Sequence, residues 1–581
     1  MHKPLLVTDF LDRARRHYGD EEAVVATTGE RFTYDEVGER ADRFSAALRE
    51  RGVEKGDRVA VLDPNTHYHL EAAYGSMQVG AVHTPLNYRL TREDFAYILE
   101  DAGVDAIYAD HEYARKIEPI RDEIPTSTFV TNDAGAVDGE WADFDAVLAE
   151  TEPDFERPEM AEDEVITINY TSGTTGDPKG VVRTHRCETL HAYLVSIHQE
   201  IREDDVYLWT LPMFHVNGWG HIYAATGMGA KHVCTRGVDA EGIFRAVAAE
   251  DVSYLCAAPT VLNRLVDHYE QHDPVTTGGN DVRVATAGSA PPEAIIRTVE
   301  DEFGWYLKHV YGATETGPLI TTSDARRHMD EDSTSRFAVK KRQGLGYLGT
   351  DVRVVDEEGN DVPPDDETIG EVVVCGNQVM EGYWNKPGAT EEAFSARLEG
   401  YYHTGDLAVV DENGMIARTG RKTSSSPAVR TSRRSNSRTH SSTTGRSRTS
   451  RSCRRRATSG ARRPRRSSYP RPRRSTTRTR SRTNWSSSRA RTSPATRLSG
   501  GSSSSTRSPR RRPARSRSTN SGPRSGKTKT GWWARDRLSP GPTVIGTDTV
   551  RHKYVNVLVD VRGHASRRPR NSHRSGGITC V

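Results

Sequence analysis

The chain up to about residue 410 predicts an α/β protein, because helical and strand patterns alternate along it. Residues 41–51 form a helical pattern followed by a strand pattern at 57–62, and the same order recurs at 95–102 and 105–108. With 581 residues, the chain is long enough for two or more domains with sizeable cores. These two observations favour a large mixed fold over a small single-layer domain.

The first helical pattern illustrates the signal. Within residues 41–51, the apolar side chains Phe44, Ala47 and Leu48 recur at the spacing of one helical face. Gly52 follows directly, and glycine is typical of the position after a helix ends. The sequence therefore predicts an amphipathic helix that ends at about residue 51.

Strand patterns frame the most informative segment of the chain. Residues 164–169 alternate and are rich in β-branched residues, and residues 370–374 form another apolar strand pattern. Between these two, residues 170–180 combine hydroxyl side chains, three glycines and one lysine, a composition suited to holding a phosphate chain. The loop is not the common P-loop, because Pro178 stands where GxxxxGK[ST] requires its second glycine.

The same loop resembles the signature loop of the adenylate-forming enzymes, the superfamily of acyl-CoA synthetases, luciferases and adenylation domains. Further segments resemble that family's motifs in the family's order. They are Pro212 to Trp219 beside the acyl pocket, Gly288 to Pro291 beside adenine, Tyr311 to Thr316 at the nucleotide and magnesium, Tyr402 to Leu407 at the ribose, and the start of the next motif at Gly420 to Lys422. The resemblance covers residues 1–422 and implies a large α/β N-terminal domain built from several subdomains.

This resemblance also implies a reaction. A carboxylate attacks the α-phosphate of Mg·ATP to give an acyl-adenylate, and coenzyme A then displaces AMP to give a thioester. Both steps place negative charge on oxygen, so positioned donors and cations matter more than a protein nucleophile. The segment 212–219 most resembles medium- and long-chain fatty acyl-CoA synthetases.

Roles for individual residues follow from the resemblance alone. Lys179, Thr314 and Glu315 are the implied catalytic residues, with Glu315 binding Mg²⁺ and Thr314 bonding the α-phosphate. Thr171, Ser172, Gly173, Thr174 and Thr175 would hold the β- and γ-phosphates with Lys179, and Gly288, Ala290, Tyr311 and Gly312 would line adenine. Asp406 would accept from both ribose hydroxyls, and Arg421 would assist at the ribose or phosphate. His215 and Trp219 are implied for the acyl pocket, although Trp219 and Tyr311 are also compatible with simple core packing.

Beyond Lys422 the character of the chain changes. Only three of the 80 acidic residues but 41 of the 81 Lys and Arg follow that position, so residues 1–422 carry a net charge of −37 and the remainder +38. Residues 423–540 are dominated by Arg, Ser, Thr and Pro, which predicts disorder, and residues 541–581 are left unassigned. Such a basic segment is typical of proteins that bind nucleic acid.

A frameshift near codon 423 is the explanation we favour for this segment. In a GC-rich gene the acidic codons GAC and GAG, read out of frame, give Thr, Ser, Arg and Gly. The family's small C-terminal domain supplies a lysine for adenylation. The segment of this chain most similar to the motif that carries this lysine, residues 523–528, is two residues too short. The chain as written is therefore predicted to bind ATP and to adenylate slowly.

The remaining sequence features are less specific. The six cysteines show no CxxC pair or metal-ligand spacing, and no signal peptide or long apolar run is visible, which favours a cytoplasmic protein. The functional prediction is an ATP-dependent fatty acyl-CoA synthetase that uses ATP, Mg²⁺ and coenzyme A. An aryl- or amino-acid-activating enzyme, nucleic-acid binding through the basic segment, and a homodimer remain open.

Overall fold

The computed structural model describes residues 2–171, 177–272, 277, 281–324, 333–394 and 398–422, with the side chains of 333–335 and 421–422 excepted. These residues belong to one compact unit. The predicted disorder of residues 423–540, the unassigned segment 541–581 and the frameshift lie outside the described residues.

Twenty-one strands are described in this part of the chain. In chain order they are β1 Glu22–Val25, β2 Arg31–Thr33, β3 Arg58–Leu62, β4 Val82–Pro85, β5 Ala106–Ala109, β6 Thr128–Thr131, β7 Ala142–Asp143, β8 Val165–Thr171, β9 Lys179–Thr184, β10 Val206–Leu208, β11 Lys231–Val233, β12 Tyr254–Cys256, β13 Arg283–Thr286, β14 Tyr306–Gly312, β15 Leu319–Ser323, β16 Leu345–Gly346, β17 Thr350–Val355, β18 Gly370–Gly376, β19 Gly382–Tyr383, β20 Tyr402–Val410 and β21 Ile416–Lys422.

Helices separate most of these strands. They are α1 Thr8–Tyr18, α2 Tyr34–Glu50, α3 His67–Gln78, α4 Arg92–Ala102, α5 His111–Ile117, α6 Phe144–Glu150, α7 His185–His198, α8 Val216–Trp219, α9 His221–Met228, α10 Ala240–Glu250, α11 Pro259–Gln271, α12 Glu293–Arg297, α13 Ser333–Lys340 and α14 Pro387–Phe394. The short segment α8 differs from the others because it winds left-handed.

The strands form three sheets. A nine-stranded sheet has the order β16-β15-β14-β13-β12-β10-β11-β1-β2, an eight-stranded sheet β19-β9-β8-β4-β3-β5-β6-β7, and a four-stranded sheet β17-β18-β20-β21. The centres of the two large sheets are parallel, and the smallest sheet is antiparallel throughout. Alternating helices and mainly parallel strands confirm the predicted α/β class.

Apolar burial holds the layers together. The largest cluster packs α1, α3 and α9 with strands of the nine-stranded sheet, around Trp209 and Tyr223, which are fully buried. A second cluster lies around Phe244 and Trp305, and a third follows the eight-stranded sheet around Phe95. In the described residues, no helix is both long enough and apolar enough to cross a membrane.

Candidate active site

The predicted phosphate loop is carried by a hairpin. Strands β8 and β9 pair antiparallel, and Thr171 lies opposite Lys179 in the register. The Thr171 hydroxyl donates to the Lys179 carbonyl oxygen at 3.4 Å. The two ends of the loop are therefore fixed beside each other, while Ser172, Gly173, Thr174 and Thr175 lie outside the described residues.

The segments predicted to lie beside adenine meet at one edge of the nine-stranded sheet. Strands β13 and β14 are parallel neighbours, so Gly288 and Ala290, which follow β13, lie at the same sheet edge as the end of β14. Gly288 has a φ of +99°, a backbone conformation that favours glycine. At Gly312 a Cβ atom would lie 1.5 Å from the Pro318 carbonyl oxygen, so only glycine fits there.

Thr314 and Glu315 lie in a short 3₁₀ turn, Thr314–Thr316, directly after β14. The Glu315 carboxylate accepts a hydrogen bond from the Tyr383 hydroxyl at 2.9 Å. The Lys179 ammonium lies 4.8 Å from the centre of the same tyrosine ring. Two residues predicted from separate motifs, Lys179 and Glu315, are thus brought together on either side of Tyr383.

The predicted ribose residue Asp406 lies on β20 and is buried. Its carboxylate accepts hydrogen bonds from the Tyr311 hydroxyl at 3.0 Å and from the Arg418 guanidinium at 2.9 Å. Arg418 also lies 5.1 Å from the centre of the Tyr311 ring. Arg421 is in the neighbouring strand β21, where the next residue, Lys422, pairs with Asp406. The backbone of Arg421 therefore lies near the predicted ribose site.

One cavity of about 170 Å³ joins residues from several predicted motifs. Its lining includes Thr171, His215 and Thr314. The remaining lining residues are Pro85, Leu86, Asn87, Leu90, Ile98, Asn169, Tyr170, Pro178, Phe214 and Val216. His215 lines this cavity and is itself an exposed residue.

Trp219 does not line this cavity. Its side chain is 7% exposed and belongs to the largest core cluster. It closes the left-handed segment that begins at Val216, in which Val216, Asn217 and Trp219 have φ values of +49°, +54° and +55°. The structure places His215 at the cavity and Trp219 in the core.

Buried polar side chains hold this segment. The Asn217 amide donates to Glu188 at 2.9 Å, and Glu188 is paired with Arg183 in a fully buried ion pair. Asn65 donates to the carbonyl oxygens of Trp209 and Leu211 and accepts from the Met213 amide. The backbone on both sides of His215 is therefore fixed by side chains from α7, β9 and the loop after β3.

Comparison with known proteins decides the family. The sequence model described as AMP-binding enzyme matches residues 10–384. This chain belongs to the AMP-binding enzyme family. The resemblance that the motifs indicated is confirmed, and so is the adenylate-forming fold class.

Relatives of this AMP-binding enzyme include CoA ligases with different acids in their names. A 4-hydroxybutyrate–CoA ligase of Metallosphaera sedula is 34% identical over 422 residues, covering 71% of this chain and 75% of the relative. A long-chain-fatty-acid–CoA ligase of Thermus thermophilus is 37% identical over 426 residues, covering 72% of this chain and 77% of the relative. The predicted enzyme class, an AMP-forming acid–thiol ligase, is confirmed at the level of the family.

A solved structure of a single domain is matched almost over its whole length by this AMP-binding enzyme. The N-terminal domain of FACL13 from Mycobacterium tuberculosis superimposes with a TM-score of 0.61 at 28% identity. The match covers 72% of this chain and 99% of that structure. The described residues therefore correspond to the whole of that domain.

Glu315 is the residue predicted to bind Mg²⁺. Among the described residues, no group of three or more His, Cys, Asp or Glu side chains could hold a metal ion. Tyr383 engages Oε1 of Glu315, and no hydrogen bond from the described residues reaches Oε2. A single carboxylate oxygen fits Mg²⁺, which keeps several waters and takes its other ligands from substrate phosphates.

Sequence reasoning missed Tyr383, Arg418 and Arg183. Tyr383 lies 68 positions from Glu315 and Arg418 lies 12 from Asp406, and each contact depends on strands that pair only in the folded sheets. Arg183 donates to the carbonyl oxygens of Gly317 and Gln378 at 3.0 Å each. The only available signal was a charged residue, Arg183, inside an apolar strand pattern, which predicts a buried and paired charge.

Proposed function

We propose that this chain is an ATP-dependent carboxylate–CoA ligase that acts through an acyl-adenylate. The observation that carries the proposal is the convergence of Lys179, Glu315 and Thr314, from β9 and the turn after β14, with Thr171 of β8 around one site. A lysine, a carboxylate and hydroxyls together match the needs of a metal-bound triphosphate. Residues 1–422 are proposed as the AMP-binding domain.

In the first step, a carboxylate oxygen of the acid attacks the α-phosphorus of ATP and pyrophosphate leaves. Lys179 and Thr171 are proposed to bind the β- and γ-phosphates, and Thr314 to donate to the α-phosphate. Mg²⁺ held by Glu315 would neutralise charge on the phosphate oxygens. In the second step, the thiolate of coenzyme A attacks the acyl carbonyl carbon, and AMP leaves with one oxygen of the original acid.

The remaining site residues are proposed to bind the nucleoside. Tyr311, Gly312, Gly288 and Ala290 lie at the edge where adenine would bind. Asp406 would accept hydrogen bonds from the ribose hydroxyls, a task that suits a carboxylate with two oxygens. Arg421 is proposed to assist at the ribose or phosphate.

Medium- and long-chain fatty acids are the proposed acids. Leu86, Leu90, Ile98 and Phe214 line the same cavity as Thr314, so apolar surface lies beside the proposed point of attack. His215 lines this cavity too, whereas Trp219 lies in the core. The long-chain-fatty-acid–CoA ligase of Thermus thermophilus is the relative that supports this choice.

Acid-dependent formation of acyl-CoA and AMP tests the proposal. The purified chain is incubated with Mg·ATP, coenzyme A and single acids from four to sixteen carbons, with benzoate and amino acids as competitors. We expect turnover that is fastest with the longer fatty acids and that falls by about 100-fold in Lys179→Ala, as for loss of one charged donor to an oxyanion. Equal turnover in Lys179→Ala would contradict the site, and preference for benzoate would contradict the acid class.

The cellular setting is also part of the proposal. We propose that the enzyme acts in the cytoplasm on small-molecule substrates, and we leave a homodimer open. Nucleic-acid binding depends on residues 423–540, which lie outside the described residues. Slow adenylation also remains a prediction, because the family's lysine for that step has no counterpart recognised in the sequence.

A further inference from the structure

Tyr383 lies between the two charged residues proposed for the triphosphate. Strand β19 pairs antiparallel with β9, with Tyr383 opposite Val181, two positions from Lys179. The half-buried ring faces the Lys179 ammonium at 4.8 Å, and the hydroxyl reaches Oε1 of Glu315 at 2.9 Å. A cation over an aromatic face and a phenol on a carboxylate are both favourable contacts. One side chain therefore contacts both groups.

The orientation of Tyr383 is itself fixed. Its backbone N–H donates to the Thr390 hydroxyl at 2.9 Å, and its phenol donates to the Glu315 carboxylate. The residue is therefore held at both its backbone and its hydroxyl.

The backbones that carry Glu315 and Tyr383 are joined independently of the phenol. The buried Arg183 guanidinium donates to Gly317, two residues after Glu315, and to Gln378, five residues before Tyr383. The Met380 N–H also donates to the Glu315 carbonyl oxygen at 2.9 Å. Removal of the Tyr383 hydroxyl should therefore free the Glu315 carboxylate without moving either backbone.

We propose that Tyr383 is a positioning residue. Its hydroxyl fixes Oε1 of Glu315, so that Oε2 faces the metal-bound triphosphate, and its ring holds the Lys179 ammonium on the side of the phosphates. This inference rests on the proposed function and adds to it a residue outside the segments that the sequence singled out. A partner that orients a metal ligand typically changes metal affinity by about 10- to 100-fold when it is lost.

The test measures how much Mg²⁺ tightens ATP binding, using calorimetric titration of the full chain with ATP in Mg²⁺ and in EDTA. We call the increase in ATP affinity between EDTA and Mg²⁺ the gain from Mg²⁺. In Tyr383→Phe we expect this gain to fall about 10-fold, because the ring stays and only the carboxylate is freed. ATP affinity in EDTA should stay within about two-fold of the original, since Lys179 keeps its ring contact. Tyr383→Leu should weaken ATP binding in EDTA as well.

Tyr68→Phe is the matched control. Tyr68 is also half-buried and donates to a carboxylate, that of Asp145, at 2.6 Å, in a part of the chain that carries none of the proposed site residues. It should leave the gain from Mg²⁺ unchanged. Glu315→Gln should lose the gain as Tyr383→Phe does, and the double variant should lose no more than Glu315→Gln alone.

An unchanged gain from Mg²⁺ in Tyr383→Phe, or additive losses in the double variant, would overturn the inference. The proposed function fails on a different result, namely ATP binding by the original chain with no acid-dependent AMP. Failure of the original chain to bind ATP at all would overturn both. A circular dichroism spectrum matching that of the original chain establishes that each variant is folded.

Discussion

Asp406 is a buried carboxylate held between a phenol and a guanidinium. Tyr311 donates to Oδ2, Arg418 donates to Oδ1, and the Asp406 N–H donates to the Thr404 hydroxyl. Burial and the nearby Asp406 charge keep the pKa of the Tyr311 phenol above its usual 10, so the phenol stays a donor. Asp406 is thus an acceptor of fixed orientation.

This geometry predicts how Asp406→Asn discriminates among nucleotides. The amide has a single acceptor oxygen and places an NH₂ group near Arg418, so it cannot accept from two ribose hydroxyls. We expect ATP binding to weaken by about 10-fold, the value of roughly one hydrogen bond to a charged group. In titrations with 2′-deoxy-ATP and 3′-deoxy-ATP, the affinity relative to that for ATP should fall clearly in the original protein. In the variant it should fall by less than about two-fold. Undiminished discrimination in Asp406→Asn would contradict the ribose assignment.

At this scale the sequence predicted residues that lie in compact motifs. Thr314, Glu315 and Asp406 stand in short runs whose resemblance can be recognised without a structure. Arg418 and Tyr383 stand outside the motifs that were recognised, and their roles depend on strand register, which a single sequence does not reveal. Trp219 fits two descriptions from sequence, and the structure places it in the core.

The left-handed segment from Val216 to Gly220 is the most unusual element near the site. Left-handed conformation costs about 1–2 kcal/mol for each residue with a Cβ atom, and a β-branched residue such as Val216 is rarely found there. The buried contact between Asn217 and Glu188 and the core packing of Trp219 offset this cost. The segment places His215 at the cavity and Trp219 in the core, which a right-handed turn of the same length would not do.

Gly218→Ala tests the packing of this segment. Gly218 has a φ of +57°, and an added Cβ would lie 2.4 Å from the Trp209 ring, which is itself fully buried. We expect the free energy of unfolding in urea to fall by about 3 kcal/mol, from left-handed strain together with overpacking.

Gly349→Ala is the control for that substitution. Gly349 has a φ of +73°, but no atom lies within 4 Å of its added Cβ, so only the backbone strain remains. This variant should lose about 1 kcal/mol. Equal losses at the two positions would contradict the packing account.

At the scale of elements, the sequence patterns predicted which segments are helices or strands better than they predicted where each begins and ends. The helix expected at 41–51 is the second half of α2, which begins at Tyr34 because Thr33 and Glu36 form a capping box. The strand expected before the phosphate loop is β8, and the loop proves to connect it to β9 in a hairpin. The left-handed segment had no signal beyond Asn217 and Gly218, because its conformation depends on contacts from α7.

Many histidines among the described residues are buried. Six of them have pKa values lowered by burial to about 3 or 4, namely His67, His83, His185, His221, His232 and His309. They stay neutral in the folded state, whereas the unfolded chain protonates them below about pH 6.5. Two buried acids, Asp63 and Glu71, act in the opposite direction, because burial raises their pKa values to about 7.

The sign of the pH dependence follows from these groups. Between about pH 6.5 and 4.5 the unfolded state binds more protons at the histidines, and the folded state binds more at Asp63 and Glu71. More histidines have lowered pKa values than acids have raised ones, so the unfolded state binds more protons in total and stability should fall as pH falls. Urea unfolding at pH 5, 6 and 7 measures this slope.

His83→Leu removes the contribution of one buried histidine to this pH dependence of stability. His83 is fully buried, and neither of its ring nitrogens has a hydrogen-bond partner, so its removal leaves no new unpaired group. The slope of stability against pH should become shallower by about 1.4 kcal/mol per pH unit. An unchanged slope would contradict the account of the buried histidines.

We propose that this protein joins a carboxylate to AMP before coenzyme A takes the acyl group. The most direct test supplies a fatty acid labelled with ¹⁸O in both carboxylate oxygens, with Mg·ATP and coenzyme A, and locates the label by mass spectrometry. Attack of the carboxylate on the α-phosphate predicts AMP that carries one ¹⁸O atom, and acyl-CoA that keeps the other. Label in inorganic phosphate, or acyl-CoA formed without labelled AMP, would contradict the claim.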